Sequence, residues 1–350
     1  MLKIGIVGGG HIVQHRHIPV FQKMKDVEVY ALCDKEESIA KNTAAKFKIK
    51  SYFTDISDML KSGVDIVDIC TPPKTHFSLA LEAIEAGCHV IAEKPLAMNV
   101  QDVEKMYSAA NKNNVKLCVV HQNLYNPVVI EAKKLVQSGE VGDILNVEVG
   151  TLVRKDNYMM LNGQHWCHKL TGGIFFELLP HPIYLLQLFL KNIKTYCVLP
   201  KKLGSYDWVK SDELRALVDS QYAEGLVVSS CNSPFHGDFL NIFGTKMYLQ
   251  IDLWGRSIIK FKPRTEQPFS VGKNNLNYAG QCLGLIGTTV SNAATMAFKG
   301  VNVSAHYGFI EAYIHAIKSN SKLPVGEEEA KDNVRIVEEI CSGVEKKLIN

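Results

Sequence analysis

Between residue 1 and about residue 123, short β-branched runs alternate with amphipathic stretches of helical length. That grammar admits little other than a parallel sheet flanked by helices. The strands read as Lys3–Val7, Glu28–Cys33, Ile66–Cys70, His89–Ala92 and Lys116–Val120. Between them lie segments such as Thr75–Ala86 (THFSLALEAIEA), with apolar residues at helical spacing and a closing Gly87. After Pro127 the pattern changes. A helix over about Val128–Gln137 ends at Ser138-Gly139, and strands follow near Ile144–Arg154, Leu214–Ser220, Leu226–Ser233, Phe239–Leu253 and Ser257–Phe261. Turn residues and few helices separate these runs, which predicts an α+β region with a large open, mostly antiparallel sheet. Helices over about Tyr307–Lys318 and Glu327–Lys347 close the chain. Two domains, 1–123 and 124–350, are therefore expected, as 350 residues also suggest on size alone.

Charge excludes some partners. Thirty-nine basic against 36 acidic residues leave a net +3, too slight a bias for a nucleic-acid partner, so a small ligand is expected. The opening MLKIGIVGGG runs directly into a buried strand with no leader pattern, and the nine cysteines contain no CxxC pair. Both features lead to the expectation of a cytoplasmic protein with reduced thiols. The stretch 274–298 has no charged residue, but its Asn, Gln, Thr and Ser argue for a helix buried in the domain or at a subunit contact and against a membrane span.

The first strand runs into Gly8-Gly9-Gly10-His11-Ile12-Val13, a G-x-G-x-x turn with valine at the third motif position. Gly8 and Gly10 allow a tight turn and a close backbone approach to a pyrophosphate, which would sit on the amides of the following helix near His11 and Ile12. Asp34 ends the second strand, about 20 positions on, where an acid accepts both ribose hydroxyls of an adenosine and repels a 2′-phosphate. A Rossmann, doubly wound domain binding NAD is the implication, with the neighbouring Lys35 leaving room for NADP.

Two further junctions extend the pattern: TPPKTH at Thr71–His76 and AEKPLA at Ala92–Ala97. Together with the glycine turn, with HQNLYNP at His121–Pro127 and with GGIFFELLPH at Gly172–His181, they resemble the Gfo/Idh/MocA family, the glucose-fructose oxidoreductase and inositol dehydrogenase group. The resemblance implies that Thr71, Pro72, His76, Glu93, Lys94 and Asn123 join the cofactor contacts and that Tyr125 meets substrate. It also implies that 124–350 binds substrate and builds a homo-oligomer, dimer or tetramer, through its sheet.

Lys94 is a cation at a strand's carboxyl end, where open α/β sheets bind ligands, and it could stabilise an alkoxide oxygen. Glu177 and His181 lie four apart, so a helix would project both from one face. The resemblance makes His181 the general acid/base, a task suited to an imidazole of ordinary pKa near 6.5. Catalysis is thus expected from Lys94, His181 and Glu177. Several positions depart from the family pattern: Glu177 stands where the family has aspartate, Leu179 for a frequent glycine, Tyr184 for a second aspartate, and Leu124 for a frequent arginine, while Pro180 precedes the histidine. HWCH at His165–His168 has ligand types for a metal but is too crowded to close a tetrahedron, so no metal is expected. An aromatic and polar wall for a sugar is the better reading, with Trp166 stacking, His165 or His168 bonding a hydroxyl, and Arg154, Lys155 and Asn157 adding contacts. The predicted function is hydride exchange between NAD(P) and a secondary alcohol of a sugar, sugar derivative or cyclitol. The alternatives are glycoside cleavage through transient oxidation and a non-catalytic NAD-binding regulator.

Overall fold

The computed structural model describes residues 1–263, 272–273, 275–287 and 303–349. By internal contact the chain divides into two units, Met1–Gln122 with Asn302–Arg335, and Asn123–Val301 with Ile336–Asn350.

The first unit is built on a six-stranded parallel sheet ordered β3-β2-β1-β4-β5-β6. Its strands are β1 (Leu2–Val7), β2 (Val27–Cys33), β3 (Ser51–Phe53), β4 (Ile66–Ile69), β5 (His89–Ala92) and β6 (Leu117–Val119). The crossovers carry helices α1 (Ile18–Phe21), α2 (Glu37–Phe47), α3 (Ile56–Lys61), α4 (His76–Glu85) and α5 (Val100–Lys112). Every residue of β4 is buried, as befits a central strand covered on both faces. Strand order reverses between β1 and β4, the switch point at which such sheets open a crevice for ligands at their carboxyl ends. The three-residue edge strand β3 has no counterpart among the expected strands, because SYF is too short and too exposed to show a period.

The second unit carries a seven-stranded sheet ordered β13-β12-β11-β7-β10-β9-β8. It comprises β7 (Ile144–Arg154), β8 (Lys194–Lys201), β9 (Glu213–Asp219), β10 (Glu224–Ser233), β11 (Gly237–Gly244), β12 (Tyr248–Asp252) and β13 (Ser257–Phe261). Only the central β7–β10 pair is parallel. The run expected as one strand over Phe239–Leu253 is a hairpin, broken where Gly244 takes part in the turn to Met247. Helices α6 (Pro127–Gln137), α7 (Tyr158–Leu161), α8 (Ile174–Leu178) and α9 (Pro180–Gln187) belong to this unit.

Two helices end the chain, α10 (Val303–Ser319) and α11 (Glu327–Ile349). The expected division at residue 123 needs correction here: α10 packs on α1 in the first unit, burying Phe309, Ile310 and Tyr313. Of the two placements expected for 274–298, burial within the domain does not hold over the helix 275–287. Leu276, Leu283 and Ile286 are exposed, while Gln281 hydrogen-bonds both backbone groups of Lys260 at 2.8 and 3.0 Å. The rest of 274–298 lies outside the described residues apart from 275–287. No helix among the described residues is long and apolar enough to cross a membrane. Of the nine cysteines, seven are buried, Cys197 is intermediate and Cys282 exposed, all as free thiols.

Candidate active site

Each unit carries one candidate region. In the first, β1 ends at Val7 and the chain turns at Gly8, whose φ of +102° favours glycine. A Cβ at Gly8 would lie 2.8 Å from the Cys70 carbonyl oxygen, and one at Gly9 would lie 2.7 Å from Ile39 Cγ2. At Gly10 a Cβ would meet nothing within 4 Å. Packing therefore accounts for the first two glycines and leaves the exposed third without a protein reason. Gly10 opens the helix that starts at exposed His11 and half-buried Ile12, so the bare backbone and the helix amides fit a pyrophosphate. Asp34 is held beside this turn: its Oδ2 accepts from the Gly9 N–H at 2.8 Å and its Oδ1 from the Glu36 N–H at 3.0 Å.

The carboxyl ends of β4 and β5 supply the rest. Thr71 is half-buried, its hydroxyl 2.7 Å from that of Thr75, and Pro72 is exposed. His76 is fully buried, with Nδ1 2.9 Å from the Pro95 carbonyl and Nε2 2.8 Å from the Thr71 carbonyl, so it ties the two loops together. Burial holds its pKa below the ordinary value despite those carbonyls. Glu93 is buried as well, with Oε2 accepting from the Lys94 N–H at 3.2 Å and Oε1 2.9 Å from His17 Nε2. Lys94 itself is half-buried and joined to Pro95 by a cis peptide.

Behind this turn lies a cluster that sequence reasoning misses. His17 Nδ1 is 2.8 Å from Asp68 Oδ2, Cys70 Sγ is 3.5 Å from the same ring nitrogen, and the His306 ring lies 6.0 Å away. All of these side chains are buried. A signal was present: Asp68 interrupts the apolar run IVDIC, and a carboxylate in a covered parallel strand requires a partner.

In the second unit, Gly172 and Gly173 open α8 with φ of +69° and +62°. A Cβ at Gly172 would sit 2.7 Å from Cys341 Cβ of α11, and the Gly172 N–H donates to Glu345 Oε1 at 3.0 Å. This anchors α8 and its half-buried Glu177, which faces the buried Cys167 of the 3₁₀ turn Trp166–Lys169 and contributes to that thiol's raised pKa after burial itself. The expected single helix through Glu177 and His181 is two, since Pro180 has no N–H to continue the ladder. Leu179 keeps helical angles, φ −64° and ψ −30°, so the four-residue spacing retains its sense. His181 Nδ1 lies 2.9 Å from the Tyr184 hydroxyl, which also accepts from the Asn123 N–H at 3.2 Å. Asn123 is thus an anchor of this unit through its backbone, and Tyr125 ends the adjoining 3₁₀ turn half-buried.

The aromatic and polar residues around HWCH have these partners. His165 caps the 3₁₀ turn by accepting from the Cys167 N–H at 3.4 Å, with the Tyr158 ring at 5.4 Å and the Trp166 ring at 5.1 Å. His168 is committed elsewhere, its Nε2 2.7 Å from the Met159 carbonyl. Exposed Arg154 is engaged by Asp156 in a two-pronged ion pair, and Asn157 caps α7 and meets His236.

Residues 2–121 match the model of the Gfo/Idh/MocA oxidoreductase family with its NAD-binding Rossmann fold, and residues 129–250 match that family's C-terminal domain. The chain belongs to the Gfo/Idh/MocA family. Among curated family relatives, it is 27% identical over 198 residues to Oxidoreductase P35 of Formosa agariphila, covering 54% of this chain and 62% of that one. It is 31% identical over 144 residues to D-glucoside 3-dehydrogenase of Escherichia coli K12, 41% of each chain. The matched stretches thus span less than two thirds of these relatives. The WlbA dehydrogenase of Bordetella pertussis, solved with NADH and UDP-GlcNAcA, shares the fold at a TM-score of 0.81 and 20% identity, over 99% of this chain and 96% of that one. Levoglucosan dehydrogenase, solved with NADH and L-sorbose, does so at 0.77 and 17%, over 99% and 97%. The first unit is the family's NAD-binding domain.

Against the Gfo/Idh/MocA pattern, the tyrosine at 184 is the most informative departure. It stands where the family frequently has an acid, and its hydroxyl occupies the hydrogen-bonding place beside the histidine's Nδ1. An uncharged phenol orients the ring without adding a negative charge to it.

Proposed function

We propose that this chain oxidises a secondary alcohol of a sugar, sugar derivative or cyclitol, with NAD as the hydride acceptor. The observation that carries the reading is the hydrogen bond between His181 Nδ1 and Tyr184. With Nδ1–H donating to the phenol oxygen, Nε2 bears the lone pair that removes the hydroxyl proton. Lys94 supplies a cation for negative charge on an alkoxide oxygen. Glu177, held by the two glycines, orients a neighbouring hydroxyl or tunes the histidine. Gly10 and Asp34 hold the dinucleotide, and the carboxylate favours NAD over NADP. NAD, when bound, takes the hydride from the carbinol carbon. The names of relatives acting on D-glucosides and levoglucosan support a sugar-like alcohol. We propose also that the second unit binds this substrate and forms a homo-oligomer through its sheet, in the cytoplasm.

The test is a panel of levoglucosan, methyl glucosides, cyclitols and nucleotide sugars, read as NADH absorbance. His181→Ala should lower kcat by roughly 10²- to 10⁴-fold, with Lys94→Ala at least as severe and dinucleotide binding largely retained. Substrate cleavage without net NADH would favour the glycoside-cleaving alternative. Silence across the panel in a protein that binds NAD tightly would favour a regulator.

A further inference from the structure

We propose that His17 is a positioning residue, an imidazolium that clamps Asp68 to Glu93 and through Glu93 sets the orientation of Lys94; only this last step rests on the catalytic reading of Lys94. The geometry carries the clamp. Nδ1 and Nε2 each face a carboxylate oxygen, at 2.8 and 2.9 Å, and the side chains of His17 and Asp68 are fully inaccessible while that of Glu93 is 11% exposed. A neutral imidazole has one N–H and would turn its other nitrogen's lone pair on a carboxylate. Two donors satisfy both.

Every element around the ring is consistent with that charge. From β4 comes Asp68, and from just past its end the Cys70 thiol, which donates to Asp68 Oδ1 at 3.5 Å; from the end of β5 come Glu93 and Lys94. After β6, His121 interacts electrostatically with Glu93, and α10 brings His306 near His17 and Tyr313 near Asp68. Burial would raise the Glu93 carboxyl, but the hydrogen bond and charge of His17, with His306 and Lys94 assisting, hold it at about 2. Burial would equally lower His17, and Asp68 with Cys70 raises it well above the ordinary imidazole value. At His121 burial outweighs the opposing pull of Glu93 and lowers the ring to about 3.

The clamp reaches the lysine because Glu93 uses its other oxygen on the Lys94 N–H. It reaches back to the glycine turn as well. His17 ends a five-residue π turn, Val13–His17, in the helix that Gly10 opens. A π turn adds one residue to the helical count and so rotates the downstream residues by about 100°. That rotation turns His17 toward Asp68 of the central strand β4. His17, Glu93 and His306 are also a ligand set that a metal could use, but a metal needs the Nε2 lone pair that the clamp employs as N–H.

Histidine labelled with ¹⁵N on the rings tests the clamp by magnetic resonance, with the His17 signals assigned by their loss in His17→Gln. Both ring nitrogens should remain protonated through the range where an ordinary histidine titrates. A single ring proton at neutral pH, or a stoichiometric metal in the purified protein, overturns the clamp. In lysine-labelled protein, the Lys94 side-chain signal, assigned by Lys94→Ala, should shift in both His17→Gln and Glu93→Gln. An unmoved Lys94 signal in the isosteric Glu93→Gln overturns the link even if His17→Gln does not fold. Undiminished turnover in Lys94→Ala would instead overturn the catalytic step, while the ring-nitrogen spectrum still decides the clamp.

Discussion

Both candidate regions begin with adjacent glycines ahead of a helix, yet the glycines answer to different physics. At Gly172 the missing side chain is demanded from inside, since the φ is left-handed and a Cβ would press on Cys341. At Gly10 nothing in the protein objects to a side chain. One glycine is a packing residue that aims α8, and the other keeps a space that the protein itself does not fill. Sequence shows two glycine turns; the surroundings tell which one packing requires.

Substitutions at the two turns should therefore separate stability from binding. Gly172→Ala combines a left-handed alanine with overpacking, for a loss of about 3 kcal/mol in folding free energy. Denaturant unfolding should show it, with the NAD Kd of the remaining folded protein near wild type. Asp34→Ser comes next, because it removes both the ribose acceptor and the carboxylate that holds the Gly9 amide. Titration should find NAD weakened by about 2 kcal/mol, roughly thirtyfold, and NADP discrimination relaxed. A wild-type preference for NADP would end this reading. Gly10→Val should cost about tenfold in NAD affinity, or 1.4 kcal/mol, while changing folding free energy by no more than about 0.5 kcal/mol. Equal losses of stability at Gly10 and Gly172 would erase the contrast. The smallest effect is expected of Glu177→Asp, which shortens the carboxylate by one methylene on an anchored helix. It should keep kcat within about tenfold if Glu177 only orients its neighbours.

Features legible without coordinates were local. Glycine turns, the Asp34 position and the order of β and α segments depend on residues close in sequence, and the two-sheet architecture followed from them. The misses were matters of distance along the chain. Asp68 advertised a need for a partner, but nothing in the sequence said that the partner was His17, 51 residues earlier. His76 and Glu93 follow strand ends, and nothing local in the sequence announces that both side chains are buried there. Tyr184 looked like the loss of an acid until its hydroxyl was found on His181. Nor does periodicity reveal which sheet a late amphipathic helix will cover, so α10 was assigned to the wrong unit.

The late position of α10 has a consequence in time. The first unit's strands are complete by residue 122, but its covering segment, Asn302–Arg335, comes only after the whole of Asn123–Val301. At the ribosome's pace of roughly 5–20 residues per second, a wait on the order of 10–40 s separates the sheet from its last helix. During that interval the surface destined for Phe309, Ile310 and Tyr313 has no cover from α10, so the half-made chain is a natural client for a chaperone.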